Sequence, residues 1–256
     1  DHFYIDSTPD GTTTVLNTGD EPAVGNQITD IVNINSIAGS TTINAGKGND
    51  VIRVNYDIDG NQTFRNGIDP TAPLTLHGNA GSDLYEIGLA GSGEGVSNIY
   101  VDDVSNDGRP NRLKIYGTQR EDLFLFRTKL VAALGVNDDG TQTGTAEKIY
   151  YEPSINDVAV YGGDADDTFV LDDTSSPITI YGDAGNDLFQ VGQVFQSPRN
   201  EGDPNNGLAR EDYFGTIQTT RGWLSNGNGR GNPTTIYGGI GNDSFTVYRN
   251  LASLFL

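Results

Sequence analysis

The sequence predicts an all-β fold, a right-handed parallel β-helix or β-roll of about eight short coils that carry long insertions. Three observations lead there. A five-residue word, Asp-x-apolar-x-apolar, starts at Asp1, Asp30, Asp50, Asp83, Asp122, Asp167, Asp187 and Asp243. Most copies follow a tight glycine-rich turn that ends in the key aspartate. The spacings between these aspartates are 29, 20, 33, 39, 45, 20 and 56, of which 20 is the bare length and the others are 20 plus an insertion. A fixed period of this kind is the mark of a stacked repeat.

Each unit opens with the word itself. Its apolar residues alternate with period two, as in Phe3 and Ile5, Val32 and Ile34, or Phe169 and Leu171, so one face of a short strand points inward. The glycine turn is preceded by a second alternating strand, at 14–16, 41–43, 74–76, 113–115, 158–160, 178–180 and 234–236. A single coil cannot bury these faces, but stacked coils can, because equivalent positions fall above one another at about 4.8 Å. The expected interior is a set of ladders. Phe3, Val32, Ile52, Tyr85, Phe124, Phe169, Phe189 and Phe245 form one column. Residues 1–256 read as one elongated unit with insertions at about 21–29, 55–72, 88–112, 127–157 and 192–233.

The chain carries 35 acidic against 15 basic groups, a formal charge of −20, and no cysteine. Such a charge repels nucleic acid and anionic membranes and attracts cations. Absent cysteines exclude thiolate metal sites and disulfides. There is no 18-residue apolar stretch and no signal peptide, so no membrane insertion is expected. The chain opens on a repeat word and stops at Leu256 after what reads as another strand. It is therefore expected to be an internal segment of a longer protein, with end-to-end continuation into neighbouring repeats.

The turns give the chemistry. They read Ala-Gly-Lys-Gly-Asn-Asp at 45–50, Gly-Asn-Ala-Gly-Ser-Asp at 78–83 and Gly-Gly-Asp-Ala-Asp-Asp at 162–167. Two more read Gly-Asp-Ala-Gly-Asn-Asp at 182–187 and Gly-Gly-Ile-Gly-Asn-Asp at 238–243. Glycines let the backbone take positive φ and turn its carbonyls toward one point, while the last carboxylate supplies a hard oxygen. Stacked turns can share a cation and build the six to eight oxygen shell of calcium. Softer metals want imidazole or thiolate, and only His2 and His77 are present.

These turns resemble the glycine-rich nonapeptide of the RTX (haemolysin-type) calcium-binding repeat family. The match is strongest at 182–190 and 238–246, good at 45–53, 78–86 and 162–170, and degraded at 117–122. The twenty-residue period with long insertions looks like very large secreted bacterial adhesin-like proteins. The resemblance implies an extracellular or cell-surface location, folding induced by calcium, and a structural or adhesive role. Carried over by position, Asp50, Asp83, Asp167, Asp187 and Asp243 become carboxylate ligands of Ca2+, with turn carbonyls completing the shell. Asp30 joins them through its twenty-residue spacing from Asp50. Tandem RTX repeats place such turns on both sides of the roll. Here each coil has one such turn and one ordinary corner, so calcium is expected along one edge only. Arg120, inside the degraded turn, is expected either to replace an ion or to face solvent.

No His-Glu-x-x-His, Gly-x-Ser-x-Gly, phosphate loop or dinucleotide fingerprint occurs, and the chain is not expected to be an enzyme. The alternative is a carbohydrate-binding or carbohydrate-active β-helix, of lyase or epimerase type, with Arg112, Lys114, Tyr116 and Arg127 grouped on one sheet. The stripe Tyr116, Tyr161, Tyr181 and Tyr237 reads as a packing surface or a platform for cell-surface or matrix polysaccharide.

Overall fold

The computed structural model describes residues 1–20, 27–63, 67–69, 71–91, 96–103, 107–136, 142–195, 216–219, 222–225 and 232–256. They form strands and turns without a helix. In chain order the first strands are β1 (His2–Ile5), β2 (Thr13–Asn17), β3 (Ile31–Ile34), β4 (Ser40–Asn44), β5 (Val51–Val54), β6 (Leu74–His77) and β7 (Leu84–Gly88). The middle of the chain gives β8 (Ser97–Asp102), β9 (Asn111–Tyr116), β10 (Leu123–Arg127), β11 (Leu130–Val136), β12 (Gln142–Tyr151) and β13 (Ile155–Gly163). The rest are β14 (Thr168–Leu171), β15 (Ile178–Asp183), β16 (Leu188–Val191), β17 (Thr216–Thr219), β18 (Gly222–Ser225), β19 (Thr234–Tyr237), β20 (Ser244–Val247) and β21 (Leu254–Phe255).

Two large sheets hold all of them except the β17–β18 pair. Sheet A runs β1-β3-β5-β7-β9-β13-β15-β19-β21, and sheet B runs β2-β4-β6-β8-β12-β11-β10-β14-β16-β20. The chain thus passes from one sheet to the other at almost every connection, and its pairings are parallel. The exceptions in the large sheets are β10 with β11 and β11 with β12, which are antiparallel.

Alternation within each strand sets what is buried. In β9, Asn111, Leu113 and Ile115 are buried while Arg112 faces out. Parallel registry then stacks like on like. Val32, Ile52, Tyr85, Leu113, Val158 and Ile178 make one buried column in sheet A. In sheet B the rings of Phe124, Phe169, Phe189 and Phe245 lie nearly parallel, with centroids 5.1, 4.9 and 4.8 Å apart. Each buried side chain of this size contributes about 1.5–3 kcal/mol.

This register corrects the expectation that all eight words share one column. The words at Asp1, Asp30, Asp50 and Asp83 lead into strands of sheet A, whereas those at Asp122, Asp167, Asp187 and Asp243 lead into sheet B. The cause is β8. The segment 88–112 is not an excursion from the corner: it contributes a full core strand, with Ile99 and Val101 buried. One added strand shifts every later word to the opposite sheet, so Tyr85 pairs with Leu113 and not with Phe124.

The segment 127–157 likewise belongs to the sheet, because β11 and β12 form a hairpin inserted between β8 and β10. Of the other insertions, 21–26, 64–66, 70, 196–215, 220–221 and 226–231 lie outside the described residues. The remaining part of 192–233 contains the β17–β18 hairpin.

Candidate metal centre: two rows of aspartate turns

Turns that lead from sheet B to sheet A lie at the end opposite to those that lead from A to B, because strands within each sheet are parallel there. The displaced words therefore split the aspartates into two rows. Asp30, Asp50 and Asp83 occupy one end, while Asp122, Asp167, Asp187 and Asp243 occupy the other. Turns on two edges, not one, are what the fold presents. Within the rows Asp30 and Asp50, Asp50 and Asp83, and Asp167 and Asp187 are neighbours.

Each row is tied by a ladder of hydrogen bonds. Asp50 accepts the backbone N–H of Asp30 on Oδ1 at 3.0 Å, and Asp83 accepts that of Asp50 at 2.9 Å. In the second row Asp167 accepts the N–H of Asp122 at 2.7 Å, Asp187 that of Asp167 at 2.8 Å, and Asp243 that of Asp187 at 3.1 Å. Asp30 takes the hydroxyl of Thr18 at 2.7 Å.

A second ladder runs the other way through the residue before the aspartate. Asn49 accepts the N–H of Ser82 at 3.0 Å, Asp166 that of Asn186 at 2.7 Å, and Asn186 that of Asn242 at 3.0 Å. The repeated Asn-Asp pair thus grips the turn above and the turn below. The recurrence of this asparagine is visible in the sequence, but its partner in the neighbouring turn is not.

The glycines make room for the carboxylates. A Cβ on Gly182 would stand 2.2 Å from Oδ2 of Asp187 and 2.3 Å from the carbonyl oxygen of Gly238. Gly185 has φ of +151°, and a Cβ there would meet the carbonyl oxygen of Ala165 at 1.9 Å. In the turn before β7 the hydroxyl of buried Tyr85 accepts the N–H of Gly78 at 2.6 Å, closing that turn from inside.

The electrostatics follow from burial. Asp83, Asp167 and Asp187 are each at most 2% exposed. Their Oδ2 atoms are buried and, among the described residues, receive no hydrogen bond. Desolvation pushes the Asp83 carboxyl up to about 7 and that of Asp167 up to about 8, with neighbouring aspartates adding to the rise. Asp187 is raised for the same reasons. Hydrogen bonds from the backbone of the adjacent turn oppose the shift in all three.

These donors suit a hard cation in kind: each offers a carboxylate oxygen that no protein donor occupies. They do not form a cage by themselves. Among the described residues no three His, Cys, Asp or Glu side chains converge as a metal-binding group. Turn carbonyls and water would have to complete any shell, as calcium sites allow.

The remaining candidates are placed as follows. Arg120 is exposed in its turn, and its N–H donates to the hydroxyl of Thr118 at 3.1 Å. Lys47 pairs with Asp20 at 3.1 Å. Arg112, Lys114 and Tyr116 share β9, but Arg127 is buried in sheet B against Asp172 at 3.1 Å, so the four do not meet. The stripe Tyr116, Tyr161, Tyr181 and Tyr237 is a cross-strand stack with centroids 5.0, 4.8 and 5.2 Å apart.

The chain matches no family model, no curated protein and no solved structure. Among the described residues no helix is long and apolar enough to cross a membrane.

Proposed function

We propose that this chain is a calcium-binding structural or adhesive segment of RTX type, working outside the cell, in which the two large sheets wind as a right-handed parallel β-helix. The observation that carries the reading is the pair of aspartate rows. Asp83, Asp167 and Asp187 each keep one buried oxygen that no group among the described residues satisfies. At neutral pH a buried carboxyl pushed up to about 7 or 8 holds a proton much of the time, and a bound cation would favour its ionised form. Calcium would supply positive charge beside Asp83, Asp167 and Asp187 and accept the carbonyl oxygens that such turns offer.

Asp30, Asp50, Asp83, Asp167, Asp187 and Asp243 are the residues that would hold it, three on each edge. The chain's own part is to stack the turns by the two opposed ladders, so that the carboxylates are placed before any ion arrives. The net charge of −20 supports the same reading, since bound cations relieve repulsion along the rows. A rod stiffened in this way needs calcium at extracellular concentrations, and cell-surface or matrix polysaccharide is the target class that suits an adhesive role.

The test is thermal unfolding followed by circular dichroism at pH 7.5 in chelator and in millimolar calcium. A melting temperature that rises with calcium but not with the same concentration of magnesium supports the proposal. A curve that calcium leaves unchanged, with stability gained on acidification alone, would show the carboxyls to be satisfied by protons and would end the calcium reading.

A further inference from the structure

Outside the aspartate rows, the outer face of sheet B carries a groove of about 910 Å³ beside the β11–β12 hairpin. That size is within the range of small-ligand sites. Its centre is aromatic. Tyr100 on β8 and Tyr150 on β12 stack with centroids 5.0 Å apart and planes 11° apart. The register puts Thr75 of β6 on the other side of Tyr100. One face of the Tyr100 ring therefore has a ring partner, and the other looks across a short threonine. Tyr100 is 40% exposed.

This differs from the sheet A stripe, where Tyr161 and Tyr181 have a ring against each face. It also differs in its borders. Asn98 and Asp102, two residues either side of Tyr100, point to the same outer face. His77 lies opposite Asp102 in the register, with Nδ1 to Oδ2 at 3.9 Å. Lys129 and Glu152 close the far end through an ion pair at 2.6 Å.

We propose that this groove binds an uncharged oligosaccharide, with one pyranose ring stacked on the open face of Tyr100 above Thr75. The C–H face of a sugar ring matches the electron-rich face of tyrosine, while the ring-edge hydroxyls reach Asn98 on one side and Asp102 on the other. Tyrosine would also stack a nucleobase. A nucleic acid brings phosphates, however, and the groove gives them no net positive charge: Arg127 pairs with Asp172, Lys129 pairs with Glu152, and Lys148 is balanced by Asp102 on the same face, in a chain of charge −20. The same balance disfavours uronate polymers. A neutral sugar is the stacking ligand that the charge admits. The inference rests on the outer face of sheet B and is independent of whether the turns hold calcium.

The experiment is titration of the whole chain, in calcium-containing buffer, with neutral gluco-, manno- and galacto-oligosaccharides. An oligouronate and an oligonucleotide serve as comparisons, and binding is read by calorimetry and by saturation-transfer NMR. At least one neutral oligosaccharide is expected to bind, and Tyr100→Ala to weaken it tenfold or more. Thr75→Phe extends the ring stack and fills the proposed seat, so it should abolish binding while leaving the circular dichroism spectrum unchanged. Tyr237→Ala, on sheet A, should have no effect. The proposal is overturned if no neutral sugar binds, if Thr75→Phe binds as the parent does, or if a charged ligand is preferred. Loss of binding in Tyr237→Ala alone would overturn it too, by moving the site to sheet A.

Discussion

Asp83 donates its backbone N–H to the side-chain oxygen of Asn111 at 2.7 Å, in the place where Asp30 and Asp50 each meet the next aspartate. Asn111 in turn donates its own N–H to the side chain of Asn156 at 2.8 Å. The first row thus continues past its last aspartate in neutral amides. Its hydrogen-bonding task does not need charge, so the charge of the aspartates asks for a separate explanation, which the proposed calcium would provide.

Asn111 is buried, and its amide also donates to the carboxylate of Asp103. Asn111→Ala takes the acceptor from the Asp83 N–H and one donor from Asp103, and should cost about 1–3 kcal/mol in urea unfolding. Asn111→Asp restores the acceptor but sets a carboxyl against Asp103. Its deficit should be small in mild acid and grow toward neutral pH.

Gly182 is the position where a single methyl meets both ladder and backbone. Gly182→Ala places a Cβ within 2.3 Å of the Asp187 carboxylate and of the Gly238 carbonyl, so the turn must open. The loss expected is about 3 kcal/mol or more, among the largest for a point change. Thermal melts should show it, and calcium should restore less stability than in the parent.

Phe169 lies between Phe124 and Phe189 in the buried stack. Phe169→Ala should cost about 3–5 kcal/mol through lost burial and the cavity left behind. Tyr181→Ala removes a ring from the outer stack of sheet A and should cost under about 1.5 kcal/mol. Guanidinium titration of the two variants side by side tests whether the core lies between the sheets as described.

Glu147 on β12 is buried and accepts the backbone N–H groups of Ala90 and Gly91 at 3.0–3.1 Å. Desolvation outweighs those bonds and pushes its carboxyl up to about 7. A group whose pKa is higher in the folded state stabilises fully below its unfolded value near 4.3, and the contribution is lost as pH rises through the folded value. Stability should therefore decline between about pH 4.5 and 7 from this residue. Glu147→Gln should reduce that decline, with higher stability than the parent at pH 8 and no gain at pH 4.5, measured by chemical denaturation across the range.

The strands and turns were legible because period-two alternation and Gly-Asn-Asp turns are local signals. Residues 31–34, 51–54 and 168–171 could be placed from their own letters, and the structure has strands there. What was not legible was β8. Ile99 and Val101 alternate as core residues should, but the glycines before them, Gly91, Gly93 and Gly95, lead to no key aspartate, so the segment read as an insertion. One unmarked strand was enough to reverse the edge on which every later turn falls. The hairpin β11–β12 was hidden for a related reason: its strands pair with each other and with β8 and β10, a long-range choice that no local period encodes. The split rows and the Asn111 continuation are consequences of registry, which sequence spacing alone leaves open.

The most direct measurement is long-wavelength anomalous diffraction from crystals of the chain grown in calcium. Calcium peaks are expected in two separate rows, one beside Asp50 and Asp83 and the other, at the opposite edge, beside Asp167 and Asp187. Peaks along a single edge would contradict the division of the turns, and no peak beside any of these aspartates would contradict calcium binding itself.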